Sequence, residues 1–323
     1  MFNHYHYFIV LAEECNISRA AERLYITHQN LSRYLANLEE EFGVTLFDRK
    51  PSLSLTHAGR LMLSALKETE QREKNLIAQY TDLKNELRGE IRLGTTEGRF
   101  RILMPDIVSE FRKLFPEVQL LISSAASPTL RQMVQENRLD LMVAGVPQEE
   151  QGDLEYTKVL DERLYLVVSD NMLRSCFGEQ FSVYRRELKK GADIRLFSKL
   201  PFAVNLPKLN SSILLKRHMA RMGVSLNIVH SSSHPDLHHI MSSRDFAASF
   251  CLTMYLPSIM KLNRELENKL NIFPIQELRD TNPVAICCQK NRIFPRYTRV
   301  LMQLLQKQCS AFARYDAVVA GEE

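Results

Sequence analysis

These 323 residues contain no tryptophan, no low-complexity run and no wholly apolar stretch longer than a few residues. Runs such as Leu164 to Val168 fall far short of the roughly 20 residues that cross a bilayer, so no membrane partner is expected. The first residues, Met1 to His6, show no basic-then-apolar signal pattern, and the chain is expected to stay in the cytoplasm. The six cysteines (Cys15, Cys176, Cys251, Cys287, Cys288, Cys309) form no CxxC pair and read as reduced thiols. Cys287 and Cys288 are neighbours, but adjacent strand residues point to opposite faces, which favours plain burial over a redox pair. Also absent are G-x-S-x-G, G-x-x-x-x-G-K, H-E-x-x-H and G-x-G-x-x-G. Catalysis therefore finds no support and no cofactor is expected. His234, His238 and His239 fall at helical spacing with His230 nearby, and two histidines at i, i+4 can bind zinc. No cysteine or carboxylate trio completes such a site, so the reading is a solvated, histidine-rich helix start without metal.

What is present is concentrated between Ser18 and Gly59. Ser18 suits an N-cap, and Ala20, Ala21 and Leu24 give a small apolar face that lets a second helix approach closely. Tyr25 and Ile26 turn the chain, and Thr27 can cap a new helix. Leu31, Leu35, Leu38 and Phe42 then recur on one face, with Gly43 suited to the helix end. Two helices joined by so short a turn form a helix-turn-helix, whose second helix can enter a DNA major groove by its N-terminal end. That end offers Thr27, His28, Gln29, Asn30, Ser32 and Arg33. Gln and Asn can pair with adenine edges and Arg with guanine edges; the plain alternative is the polar start of any small helical domain. Val44 to Phe47 and Leu53 to Leu55 read as two short strands around a basic tip at Arg49 and Lys50. Such a wing can meet phosphate or the minor groove. Thr56 caps the next helix. Bulk charge does not drive this reading: the net charge is +4, and residues 1–90 carry 11 basic against 13 acidic side chains. The useful positive charge is local, at Arg19, Arg23, Arg33, Arg49 and Lys50. Glu39 to Glu41 are expected on the helix end turned away from DNA.

The stretch resembles the winged helix-turn-helix of LysR-type transcriptional regulators. The marks are Tyr7-Phe8, Ala20-Ala21-Glu22-Arg23-Leu24, Leu31-Ser32-Arg33, Leu38-Glu39, Phe42-Gly43-Val44, Leu46-Phe47-Asp48-Arg49 and Leu55-Thr56-His57-Ala58-Gly59. His28 stands where the family usually has Gln, and Gln29 where it often has Pro or Ser. These departures bear on base preference and not on the docking mode. The resemblance implies a winged helix-turn-helix plus a long linker helix, followed by an α/β, periplasmic-binding-protein-like effector domain of two subdomains. The expected divisions are 1–58 for the DNA-binding domain (helix-turn-helix about 18–37) and 59–89 for a linker and dimerisation helix. An effector domain follows at 90–310 and a tail at 311–323. Within it, subdomain I is about 90–162 and 269–310, and subdomain II about 163–268.

The rest of the chain is consistent with that plan. Phe2 to Glu14 reads as a first helix. From His57 to about Arg88, Ala58, Leu61, Ala65, Thr69, Arg72, Leu76, Tyr80, Leu83 and Leu87 fall at steps of three and four, a stripe that wants a partner helix. Gly89 is expected to break this helix. Strands and helices then alternate, which signals parallel sheets with covering helices. The strands are Ile91–Gly94, Val118–Ile122, Leu139–Ala144, Leu164–Val168, Phe202–Val204, Leu226–Val229 and Ala247–Leu252. Asn271–Pro274 and Val284–Cys288 are expected to return to the first block, and Arg296–Phe312 to close the fold. Arg174–Ser198 is a polar segment longer than the family's usual connection.

In open α/β sheets ligands sit beyond the carboxyl ends of strands, and the resemblance puts an effector cleft between the subdomains at matching points. The candidates are Thr95, Thr96, Gly98, Ser127, Asn205, Ser231 and Ser232. Hydroxyls and helix-start N–H groups suit a small polar metabolite, ordinary Ser/Thr capping being the plain alternative. No Arg falls in these stretches, so a strongly anionic effector is not demanded. Together these features predict a sequence-specific, effector-responsive transcription regulator, a homodimer or homotetramer on double-stranded DNA, with RNA polymerase a further candidate partner. The alternative of another class is a cytosolic small-molecule sensor whose N-terminal domain makes only protein contacts.

Overall fold

The structure is a computed structural model that describes residues 5–50, 52–83, 88–147 and 152–320. It divides into two compact units. One comprises residues 1–86 with 291–295; the other holds the remainder.

In the first unit, α1 (Tyr5–Glu14), α2 (Ile17–Arg23) and α3 (His28–Phe42) are followed by β1 (Phe47–Asp48), β2 (Ser54–Leu55) and α4 (His57–Leu83). Their common core gathers Phe8, Leu11, Ala20, Ala21, Leu31, Leu35, Leu38, Leu46, Phe47 and Leu66. Ala20 and Ala21 are buried, and their small side chains let α2 and α3 approach as the sequence suggests. The cap of α2 is Asn16, whose side chain accepts from Arg19 N, and not Ser18 two residues on. Thr27 caps α3 by accepting from Asn30 N, and Gly43 ends it in the left-handed region at φ 64°. The wing strands are shorter than expected, pairing only Phe47 with Leu55 and Asp48 with Ser54. Thr56 accepts from Gly59 N at the head of α4. A Cβ at Gly59 would lie 2.1 Å from Leu46 O, so only glycine lets α4 start this close to the wing. Along α4 the stripe residues Leu61, Leu76 and Tyr80 stay exposed at 60%, 47% and 55%, so among the described residues these three side chains are left uncovered. The stripe position Leu87 lies outside the described residues, as do Phe2 and Pro51.

The second unit begins with β3 (Gly89–Thr95), α5 (Glu97–Leu114), β4 (Val118–Ser124), α6 (Ser127–Gln135), β5 (Leu141–Gly145) and β6 (Leu154–Glu162). It continues through β7 (Leu164–Ser169), α7 (Asp170–Phe177), α8 (Phe181–Glu187), β8 (Pro201–Asn205), α9 (Asn210–Met222), β9 (Asn227–Ser232), α10 (Pro235–Ser243), β10 (Ala248–Leu252) and α11 (Leu256–Glu265). β11 (Leu270–Pro274), β12 (Asn282–Gln289), α12 (Arg296–Ala311) and α13 (Arg314–Ala320) complete it. One sheet runs β4-β3-β5-β12-β6 and the other β9-β8-β10-β7-β11, the same plan twice.

Several sequence expectations are corrected here. Gly89 is the first residue of β3, and residues 84–87, where the preceding helix was expected to end, lie outside the described residues. The sheets are mixed: β3, β4 and β5 are parallel, as are β8, β9 and β10. β12 runs antiparallel to both its neighbours, and so does β7. β11 does not return to the first sheet. It pairs with β7, Ile272 opposite Val167, so the second subdomain extends past residue 269 and only β12 crosses back. The long polar segment at residues 174–198 includes α8 and helical turns that seat Leu188, Ile194 and Phe197 in the second core. The expected tail contains α13, with Val319 buried in that same core.

Candidate nucleic-acid interface and effector cleft

In the first unit, Leu31, Leu35 and Leu38 are buried, which fixes the roll of α3 about its axis. At 100° per residue, Gln29 and Arg33 then stand opposite that stripe, one turn apart, with Asn30 beside them. Thr27, His28, Gln29, Asn30 and Arg33 are exposed and Ser32 is half-buried. His28 and Ser32 face each other on the shoulder, Nδ1 to Oγ at 3.5 Å, too long to hold either side chain firmly. Five of the six candidates are thus exposed around the start of α3, with Ser32 half-buried among them.

The local positive charge is more selective than the sequence suggests. Arg23 pairs with Glu13 at 2.8 Å and Glu14 at 3.1 Å, and Arg19 with Glu14 at 3.8 Å. Arg49 donates to Glu39 Oε2 at 3.3 Å. Glu39 also accepts from Leu46 N at 2.7 Å and Phe47 N at 3.2 Å, so this carboxylate is the clasp between α3 and the wing and is not idle. Its i, i+7 and i, i+10 partners lie across a turn, out of reach of helical periodicity, which is why the sequence hid it. Among the described residues, Arg33 and Lys50 make no ion pair and stay exposed. They are the cations at this surface with no carboxylate to leave.

In the second unit, the candidate effector residues divide. Thr95 is buried and donates to Val143 O at 3.2 Å, a strand-to-strand tie. Thr96 caps α5 by position and accepts from Arg99 Nη1 at 3.3 Å. Asn205 donates to Ser211 Oγ at 2.7 Å, while its Oδ1 is buried without a partner. Ser232, opposite Asn205 on β9, bonds the ring of His238 at 2.9 Å. Ser231 is exposed and Ser127 half-buried at the start of α6. Gly98 faces elsewhere: a Cβ there would sit 1.8 Å from the Tyr255 hydroxyl.

Four residues between the two sheets were not anticipated. Arg99 donates to Glu162 Oε2 at 2.6 Å, Asn282 Nδ2 donates to the same oxygen at 2.7 Å, and Asn210 Nδ2 donates to Asn282 Oδ1 at 3.1 Å. A Cβ on Gly145 would lie 2.5 Å from Asn210 Nδ2, so the head of α9 closes onto the end of β5. Arg99 Nε and Glu162 Oε1 remain buried without partners. An arginine therefore does join these groups, from the residue directly after Gly98, but its charge is already met by Glu162. Only the position of Arg99 on the first turn of a helix at a strand end could have signalled it. Nothing in the sequence brings Glu162 and Asn282, 120 residues apart, together.

The histidine cluster is only partly solvated, with His234 exposed and His230 half-buried. His238 and His239 are buried at 1% and 3% exposure. Burial, reinforced for His238 by His230 and for His239 by His238, pushes each ring down to about 4, with Asp236 opposing. Unfolded imidazoles take protons near 6.5. Between about pH 6.5 and 4 the unfolded chain thus binds more protons than the folded one, and stability falls as pH falls. Urea midpoints of the wild type should drop across that window, and those of His238→Gln should drop less. Equal slopes would contradict the assignment.

A family model described as bacterial regulatory helix-turn-helix protein, lysR family, matches residues 2–60, and one described as LysR substrate binding domain matches residues 84–310. The chain is 32% identical over 139 residues to the HTH-type transcriptional regulator BsdA of Bacillus subtilis, covering 42% of this chain and 48% of that protein. It is 23% identical over 300 residues to the HTH-type transcriptional regulator TdcA of Escherichia coli, covering 91% and 89%. Against several such regulators, BsdA among them, the chain spans about half the relative's length. Full-length OxyR from Pseudomonas aeruginosa shares the fold, with a TM-score of 0.65 at 20% identity over 93% of this chain and 95% of that one.

Proposed function

This chain belongs to the LysR family of bacterial helix-turn-helix regulators, and from that premise we propose that it is a DNA-binding transcriptional regulator, not an enzyme, that answers to a small molecule. The observation that carries the reading is the exposed polar row from Thr27 to Arg33 on a helix whose opposite face is locked in the core by Leu31, Leu35 and Leu38. Gln29 and Arg33 read base edges in the major groove, with His28, Asn30 and Ser32 at their flanks and Thr27 at the phosphate side. Lys50 holds the DNA backbone at the wing. Arg49 does so only by giving up Glu39.

Two half-sites need two readers, and the exposed Leu61, Leu76 and Tyr80 of α4 support a homodimer, or a homotetramer of two such dimers. The effector lies between the two α/β halves near Thr96, Asn205 and the Arg99–Glu162–Asn282–Asn210 chain. It shifts how the halves close only as far as it binds one state better than the other. The protein works in the cytoplasm, where it has access to DNA and to RNA polymerase.

Fluorescence anisotropy with the duplex upstream of its own gene tests this reading. The wild type should bind that duplex above random DNA. Lys50→Ala should weaken both alike and lower the salt slope by about one. A slope unchanged by that substitution would remove the wing from the interface.

A further inference from the structure

A cavity of about 580 Å³ opens where α5, α10, α11, α12 and α13 meet. Its size falls in the range of sites for small organic ligands. It is not the cleft of the preceding reading: of the seven cleft candidates only Gly98 borders it. Its composition is specific. Ile102, Tyr255 and Phe312 supply apolar and aromatic wall. The acidic groups at its edge are already engaged, Asp236 by Arg101 at 2.6 Å and Asp106 by Gln308 at 3.1 Å. The cations are less so. Lys261 makes no ion pair among the described residues, and Arg314 meets only Tyr315, donating to its hydroxyl at 2.9 Å with the guanidinium 4.9 Å from the ring centre.

His239 closes the inner wall, 3% exposed, with its ring edge-on to Tyr255 and the centroids 5.7 Å apart.

We infer that this cavity is a second small-molecule site, and that it takes an organic anion with an aromatic or apolar body. Lys261 and Arg314 meet the anionic group, and Ile102 and Phe312 the body. α13, which the sequence presents as a tail, forms one wall, so the site exists only when that helix is docked.

The test uses the full-length protein and 8-anilinonaphthalene-1-sulfonate, an aryl sulfonate, followed by its fluorescence. The wild type should bind it with a Kd below about 1 mM. Ala311→Trp fills the cavity from its rim without touching the core and should abolish saturable binding. Lys261→Ala should weaken binding about tenfold or more. Absence of saturable binding by the wild type, or binding that survives Ala311→Trp, overturns the site. Loss in Ala311→Trp with no change in Lys261→Ala overturns the anionic class of the ligand.

Discussion

Glu162→Ala should lower the unfolding free energy by about 3 kcal/mol, the scale on which breaking a buried ion pair operates. The Glu162 and Arg99 side chains are 1% and 11% exposed and lie 2.6 Å apart. Truncating Glu162 strands a guanidinium whose Nε already lacks a partner and whose remaining bond is to Thr96. It also removes the acceptor of Asn282 Nδ2, loosening the link from Asn282 to Asn210 on α9. The cost is that of an orphaned charge, and it need not equal the net worth of the pair. Arg99→Met combined with Glu162→Met, which removes both charges, should therefore recover most of the loss. Urea denaturation followed by circular dichroism checks both statements. A Glu162→Ala midpoint equal to wild type would mean that water already solvates the pair.

Leu31→Ala is the second large effect, with an expected loss of about 3 kcal/mol in the N-terminal unit. Leu31 is fully buried among the residues that pack α3 against its neighbours, and it sits between the candidate base readers Asn30 and Ser32. The cavity it would leave lies under the N-terminal turn of α3, so the roll that aims Gln29 and Arg33 is lost along with stability. DNA affinity should fall together with the urea midpoint. By contrast, Arg33→Ala should leave the midpoint within about 0.5 kcal/mol, as exposed substitutions do. A Leu31→Ala protein with wild-type DNA affinity would separate the packing of α3 from its function.

Local chemistry was legible in the sequence; long-range closure was not. Thr27, Gly43 and Thr56 each announce a helix end by chemistry confined to a few residues, and the structure places caps at all three. Leu31, Leu35 and Leu38 gave the buried face of α3 by periodicity alone. Asn16 displaced Ser18 as a cap because both residue types suit the role and only the backbone chooses between them. β11 was assigned to the wrong sheet because a short apolar strand carries no label for its partner. At the strand ends of the second unit the sequence singled out Thr96 and Asn205, but the Arg99–Glu162–Asn282–Asn210 chain joins residues from four distant segments. His238 and His239 read as solvated because helical spacing does not say which face a neighbouring sheet will cover.

The central claim is that the start of α3 reads base pairs. Arg33→Ala bears on it most directly, measured as the ratio of affinity for the upstream duplex to affinity for random duplex at one salt concentration. Loss of an arginine that pairs with a guanine edge costs about 1–3 kcal/mol at that position only. The ratio should therefore fall by about tenfold or more while random-sequence affinity changes far less. A ratio equal to the wild type's, with the protein still folded, would contradict the account.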